Sequence, residues 1–197
     1  MAALALLLAT TIAALQAGGA MLVPKVDHAA AGEYRRGGAG FACVVTAANG
    51  DEAARKAKNG CLHYGPLAIG LPRTQAEAVL GRPAQTVANN GVEVFAYPLR
   101  SKPGSAGLST YAALEFDGSG QIKMVQVSGD PLVASDWAFS SVRLGDDASV
   151  VERMLGRPLQ VSPVPETGAE LWAYQPWTFT LEIKGRKVVS IRLEAES

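Results

Sequence analysis

The chain has 197 residues, of which 48% are hydrophobic and 18% are charged, a balance typical of a folded protein with one sizeable core or two small domains. Lys plus Arg and Asp plus Glu both number 18, so the formal net charge is zero. Nucleic-acid binders usually carry a clustered basic excess, and this balance therefore argues against a nucleic-acid partner.

The N-terminus predicts export. Residues 1–23 carry no charged side chain, and residues 3–15 are almost wholly apolar or small. Small residues follow at 16–20, so we expect a secretory signal peptide over 1–20, cleaved near Ala17 or Ala20. The positive segment that usually opens such a peptide is missing. The apolar run is also just long enough for an uncleaved membrane anchor, which is the alternative.

Residues 21–63 are expected to form a leader and a disulfide-closed N-terminal segment. Residues 24–40 are rich in Gly and Ala and show no helical or strand period, which favours a flexible leader. Residues 41–46 favour a strand, and Asp51 suits the N-cap of a short helix over 52–58. Cys43 and Cys61 are the only cysteines in the sequence. In an exported, periplasmic chain such a pair predicts a disulfide.

The remaining sequence contains a tandem duplication. Leu-Gly-Arg-Pro at 80–83 recurs at 155–158, and Glu-x-aromatic-x-Tyr at 93–97 recurs at 170–174. Many apolar and glycine positions between and beyond these motifs keep the same register. The duplication predicts a first repeat over 64–130 and a second over 131–197.

Each repeat is expected to hold a helix and a meander. Thr74 and Glu77 form a capping-box signature for a helix over 75–80, which Gly81 and Pro83 end. Strands are predicted at 92–97, 111–116 and 122–127, with a hairpin turn at 117–120. The predicted fold class is therefore α+β: two tandem repeats, each a short helical segment followed by an antiparallel β-meander, packed side by side.

This pattern resembles the repeat of the SmpA/OmlA (BamE-like) outer-membrane assembly factors and of the β-lactamase inhibitor protein (BLIP-like) family. Residues 70–83 with Phe95 and Tyr97 match one unit, and residues 145–158 with Trp172 and Tyr174 match the next. The assembly factors are typically single-repeat lipoproteins, whereas this chain has two repeats and lacks a lipidation cysteine. The resemblance implies a non-enzymatic envelope protein whose sheet or loops bind another protein.

The sequence offers little that points to catalysis. Cys61-x-His63 is too sparse for a metal site, and a disulfide would remove Cys61 as a thiolate. Glu93 and Glu170 occupy equivalent positions, which duplication explains without a catalytic role. We therefore predict no catalytic residue, no metal ligand and no cofactor.

Six side chains are candidate protein-binding residues. Phe95, Tyr97, Trp172 and Tyr174 share a strand face, which we interpret as core or inter-repeat packing, with an exposed recognition surface as the alternative. Arg82 and Arg157 follow equivalent helix ends, where they either complement the helix dipole or lie exposed in a binding loop. The opposite strand face is small and apolar and suits packing beneath a helix; it holds Val92, Val94, Ala96, Leu171 and Ala173.

Loops at 100–109 and 161–167 are expected to supply partner-specific contacts, and the connector 128–141 is expected to cover the junction with Trp137 and Phe139. The predicted function is that of a periplasmic protein-binding module, in outer-membrane assembly or maintenance. Its partner would be a protein of the cell envelope. Whether the chain itself lies at the surface of the outer membrane is left open. The alternative is an inhibitor of a secreted or periplasmic hydrolase such as a β-lactamase.

Overall fold

The computed structural model describes residues 32–37, 40–45, 60–89, 92–134 and 136–196 of the chain. The predicted signal peptide at 1–20 and the predicted helix at 52–58 lie outside these residues. In chain order the described elements are β1 (Gly32–Gly37), β2 (Gly40–Val45), β3 (His63–Tyr64), β4 (Leu67–Ala68), α1 (Arg73–Leu80), β5 (Gln85–Asn89), β6 (Val92–Pro98), β7 (Tyr111–Phe116), β8 (Ile122–Ser128), α2 (Ala148–Leu155), β9 (Gln160–Val164), β10 (Ala169–Ala173), β11 (Phe179–Lys184) and β12 (Lys187–Glu194).

The structure is mainly β, and the predicted α+β class with two meanders packed side by side is wrong. Of the described residues, 47% lie in strands and 11% in helices. Eight strands pair into one antiparallel sheet in the order β5-β6-β7-β8-β12-β11-β10-β9. The physical reason is backbone pairing at the centre. β8 and β12 would each be an edge with unpaired N–H and C=O groups, and pairing them with each other satisfies both.

The strands predicted from alternation are confirmed as β6, β7 and β8. The predicted turn between β7 and β8 is also confirmed. There the Asp117 carboxylate accepts hydrogen bonds from the backbone N–H groups of Ser119, at 2.8 Å, and Gln121, at 3.0 Å. Two further strands, β5 and β9, lie at the sheet edges and were not predicted. The second of the expected binding loops, at 161–167, is therefore largely edge strand.

Each helix spans eight residues and ends at a glycine with a φ of 78°, Gly81 for α1 and Gly156 for α2. A positive φ is nearly free for glycine, so the predicted helix stop is confirmed. The predicted capping box is wrong, because α1 begins after Pro72 without a side-chain cap. Glu77 instead pairs with the guanidinium of Arg73, one turn earlier, at 2.8 Å.

The core lies on one face of the sheet. It joins the inward side chains of the strands to Ala76 and Val79 of α1 and to Val151 and Leu155 of α2. Of the two aromatic residues in the connector, Phe139 is fully buried with its ring 4.7 Å from that of Phe179, and Trp137 packs edge-on against Tyr64 at 6.4 Å.

An N-terminal hairpin packs against the same core. β1 pairs with β2 over six residues, so the flexible-leader prediction is wrong for 32–37. Tyr34 of β1 is buried, and its backbone N–H donates to Ser140 Oγ at 2.9 Å. The predicted disulfide between Cys43 and Cys61 is confirmed, with Cα atoms 5.8 Å apart.

The disulfide indicates a compartment outside the cytoplasm, because such bonds persist in oxidising surroundings. Among the residues that the structure describes, none of the helices has both the length and the apolar character needed to cross a membrane.

Candidate functional site

The second face of the eight-stranded sheet is open. Along β11, Phe179, Leu181 and Ile183 point into the core, and the residues between them, Thr180 and Glu182, are half-buried on the other side. Side chains also alternate between the two faces along β12, where Arg192 and Glu194 are exposed and the neighbouring Ile191 and Leu193 are buried. Both helices lie on the buried face, so neither of them covers this second face in the part of the chain that the structure describes.

A cleft of about 940 Å³ lies on the open face, over the half of the sheet from β8 to β9. We call it the cleft throughout. Side chains from five strands and from the segment between β10 and β11 line it: Gln126, Leu159, Val164, Leu171, Ala173, Gln175, Pro176, Trp177, Thr178, Phe179, Thr180, Glu182, Ser190, Arg192 and Glu194.

The floor of the cleft begins with a hydrogen-bonded cluster where β8 meets β12. Ser128 and Ser190 are cross-strand partners, and their hydroxyl oxygens lie 2.8 Å apart. The Gln126 amide donates to both hydroxyls, at 3.3 and 3.1 Å. Ser190 is only 3% exposed. These partners fix the side chains in place before a ligand arrives, which lowers the entropic cost of binding.

The charged groups of the cleft are Glu182, Arg192 and Glu194, for a formal net charge of −1. Arg192 is occupied by Glu194, with its Nε donating to Glu194 Oε1 at 2.6 Å. By the strand register, Glu182 lies between Leu171 on one side and Ser190 on the other. A negative charge therefore lies beside an apolar contact and a hydroxyl.

The apolar part of the cleft lies toward β9 and β10. Leu159 is 71% exposed at the rim, and Leu171 and Val164 are half-buried beside it. Trp177 lines the end of the cleft and packs edge-on against Tyr34, with ring centroids 5.2 Å apart. Burial raises the pKa of Tyr34 to about 12, so its phenol is neutral at ordinary pH. The N-terminal hairpin thus supports one end of the cleft.

The four aromatic candidates do not lie in the cleft. Phe95, Tyr97, Trp172 and Tyr174 are all buried on the core face. Tyr174 donates its hydroxyl to the carbonyl of Gly156 at 3.1 Å, and burial raises its pKa. In these positions they hold the sheet against the helices, and a partner could contact them only by opening the core.

The opposite strand face was expected to pack beneath a helix, and that expectation is wrong. Leu171 and Ala173 instead line the cleft, because both helices cover the aromatic face. Arg82 and Arg157 are exposed just past their helices and are not among the residues that line the cleft. The structure therefore does not bring the six sequence candidates together into one site.

The hydroxyl cluster of the cleft is bonded to an amide, and within the described part of the chain no group of three or more His, Cys, Asp or Glu side chains is placed to hold a metal ion. The cleft was not predicted, because the apolar residues of each strand define the core face and say nothing of the other face. The polar residues that alternate with them, such as Glu182 and Arg192, were the available evidence.

The described residues thus define a class of protein, a mainly antiparallel β scaffold with one buried face and one open, cleft-bearing face. No family model matches the chain, and a search of curated proteins finds no match. Among solved structures, the chain is similar to the crystal structure of YjgB, a DUF4309 family protein from Bacillus subtilis. The TM-score is 0.40 and the identity 16%, over 64% of this chain and 78% of that chain. We draw no inference from a likeness of this size.

Proposed function

We propose that the chain is a non-enzymatic, exported protein-binding module of the bacterial envelope, and that the cleft receives a segment of its protein partner. The observation that carries this proposal is the open sheet face itself. A cleft of about 940 Å³ lies there, with prearranged hydroxyl and amide groups beside exposed apolar side chains. Partner surfaces in proteins combine these features, with an apolar centre and hydrogen-bonding groups around it.

Recognition in the cleft would depend on side chains. β10, β11 and β12 are paired on both sides, so their backbone groups are already used within the sheet. The hydroxyl of Thr180 offers a hydrogen bond, and Leu171 offers apolar contact. Trp177 offers an aromatic surface of the kind that often dominates interface energetics.

Site-specific photo-crosslinking tests the proposal. A photoreactive residue at Thr180, inside the cleft, should give one discrete protein adduct in envelope fractions of the native host. The same residue at Thr167, an exposed turn position outside the cleft, should not give it. Ala173→Trp, which fills the cleft, should remove the adduct and leave the thermal midpoint nearly unchanged. Equal adducts from both positions, or none from Thr180, would contradict the proposal.

A role in outer-membrane assembly or maintenance is the process we favour, and it rests on the resemblance of the repeats to the assembly factors. The alternative, inhibition of a secreted or periplasmic hydrolase, is favoured by Leu159, whose 71% exposure at the rim suits insertion into an enzyme groove. A panel of β-lactamases and peptidoglycan hydrolases separates the two. If the native chain inhibits one of these enzymes and Ala173→Trp abolishes the inhibition, the alternative is supported. If the native chain at micromolar concentration inhibits none of them, the alternative is excluded for those enzymes.

A further inference from the structure

Two carboxylates occupy matching positions on the open face, Glu115 on β7 and Glu182 on β11. Glu115 lies in the β7–β8 hairpin and Glu182 in the β11–β12 hairpin. In each hairpin the pairing register shifts next to the carboxylate, so the second strand contains one extra residue. The extra residue is Lys123 in β8 and Val189 in β12. These bulges place the two hairpins in the same local geometry with different side chains.

The extra residue decides whether the carboxylate is neutralised. Lys123 Nζ forms a salt bridge with Glu115, whose side chain is 14% exposed. Val189 carries no charge, and Glu182 forms neither an ion pair nor a hydrogen bond with any residue that the structure describes. A half-buried carboxylate without a partner loses hydration and gains nothing in return. The second hairpin therefore lacks the cation that the first one supplies from within.

The surroundings of Glu182 favour a cation from outside. Its neighbour across β10 is Leu171, and its neighbour across β12 is Ser190. The positive charge of the cleft, on Arg192, is held by Glu194 through two nitrogens, Nε at 2.6 Å and Nη2 at 2.5 Å. The apolar neighbour suits the alkyl stem of a long basic side chain, and the carboxylate suits its charged end.

We propose that the partner segment places a lysine or arginine side chain against Glu182, where its charge takes the part that Lys123 plays for Glu115. This inference rests on the proposed function, since it names the chemistry of the segment that the cleft receives. The basic side chain crosses Leu171 and ends at the Glu182 carboxylate. Specificity then comes from a charge that the sheet itself leaves uncompensated.

Selection from a display library of random ten-residue peptides tests this inference on the full chain. Peptides enriched by the native protein should share a Lys or Arg at one position, and replacing it with Gln in synthetic peptides should weaken binding about tenfold. Glu182→Gln should weaken the basic peptides to the same extent. Val189→Lys should do so too, because it builds the internal pair of the first hairpin. Glu115→Gln is the matched control and should leave peptide affinity unchanged.

Two results would overturn the inference. If peptides bind in the cleft, as shown by loss of binding in Ala173→Trp, but carry no preferred basic position or tolerate Glu182→Gln, the inference fails and the proposed function stands. If the native protein enriches no peptide beyond the background of Ala173→Trp, the cleft does not receive a protein segment, and both fail.

Discussion

Tyr97 in β6 and Tyr174, the residue after β10, occupy equivalent positions in the duplicated sequence, yet their hydroxyls differ in a way that can be measured. Both rings are buried, at 0% and 4% exposure. The Tyr174 hydroxyl donates to the carbonyl of Gly156, which ties the sheet to the end of α2 at 3.1 Å. The Tyr97 hydroxyl is buried and has no hydrogen-bond partner among the residues that the structure describes. Removing the two hydroxyls should therefore have different consequences.

Tyr174→Phe should lower the free energy of unfolding by about 1 kcal/mol, the usual net value of a neutral buried hydrogen bond. For a chain of this length, that corresponds to a fall of about 2–4 °C in the thermal midpoint. Tyr97→Phe removes an unsatisfied buried hydroxyl and should leave stability unchanged or raise it. Urea unfolding followed by tryptophan fluorescence, with the disulfide intact, measures both. If Tyr97→Phe destabilised the protein as much as Tyr174→Phe, the hydrogen bond could not be the cause and the reasoning would be refuted.

Two further predictions concern the cap of α2 and the disulfide. Asp147 caps α2 by accepting from Ser149 and pairs with Arg186, and these hydrogen bonds lower its pKa to about 2 from 3.8. Its stabilising effect should be complete above about pH 4 and vanish toward pH 2, so the difference in thermal midpoint between the native chain and Asp147→Ala should close over that window. A difference that stays constant down to pH 2 would refute the role of the charge. Replacing Cys43 and Cys61 with Ser should cost about 3 kcal/mol of unfolding free energy for a loop of 18 residues. Denaturant unfolding with and without reductant measures this, and an effect of reductant on the double variant would show a different cause.

Local chemistry made several elements predictable. Alternating apolar residues gave β6, β7 and β8, and Asp117 with the glycines after it gave the turn between the last two. Gly81 ended α1, as its position after the apolar helix face indicated. In each case the determining contacts lie within a few residues along the chain, where sequence patterns are informative.

The continuous sheet and the cleft could not be predicted in this way. Ser128 and Ser190 meet across a separation of 62 residues, and no local pattern specifies that pairing. The edge strands were missed because β5 is short and exposed, and because Pro163 in β9 is typical of a loop. The cleft lies on the sheet face that the helices leave uncovered. The side on which the helices pack therefore decides whether Leu171 belongs to the core or to the surface.

The N-terminal hairpin of β1 and β2 packs against residues that are far from it in the sequence. The Tyr34 ring packs against that of Phe179, with centroids 5.1 Å apart, although 145 residues (34 to 179) separate the two along the chain. That contact cannot form until the chain has been synthesised through Phe179. Cys43 and Cys61 are only 18 residues apart and can be joined long before that. A disulfide formed first would shorten the search that the hairpin makes before it packs against the core.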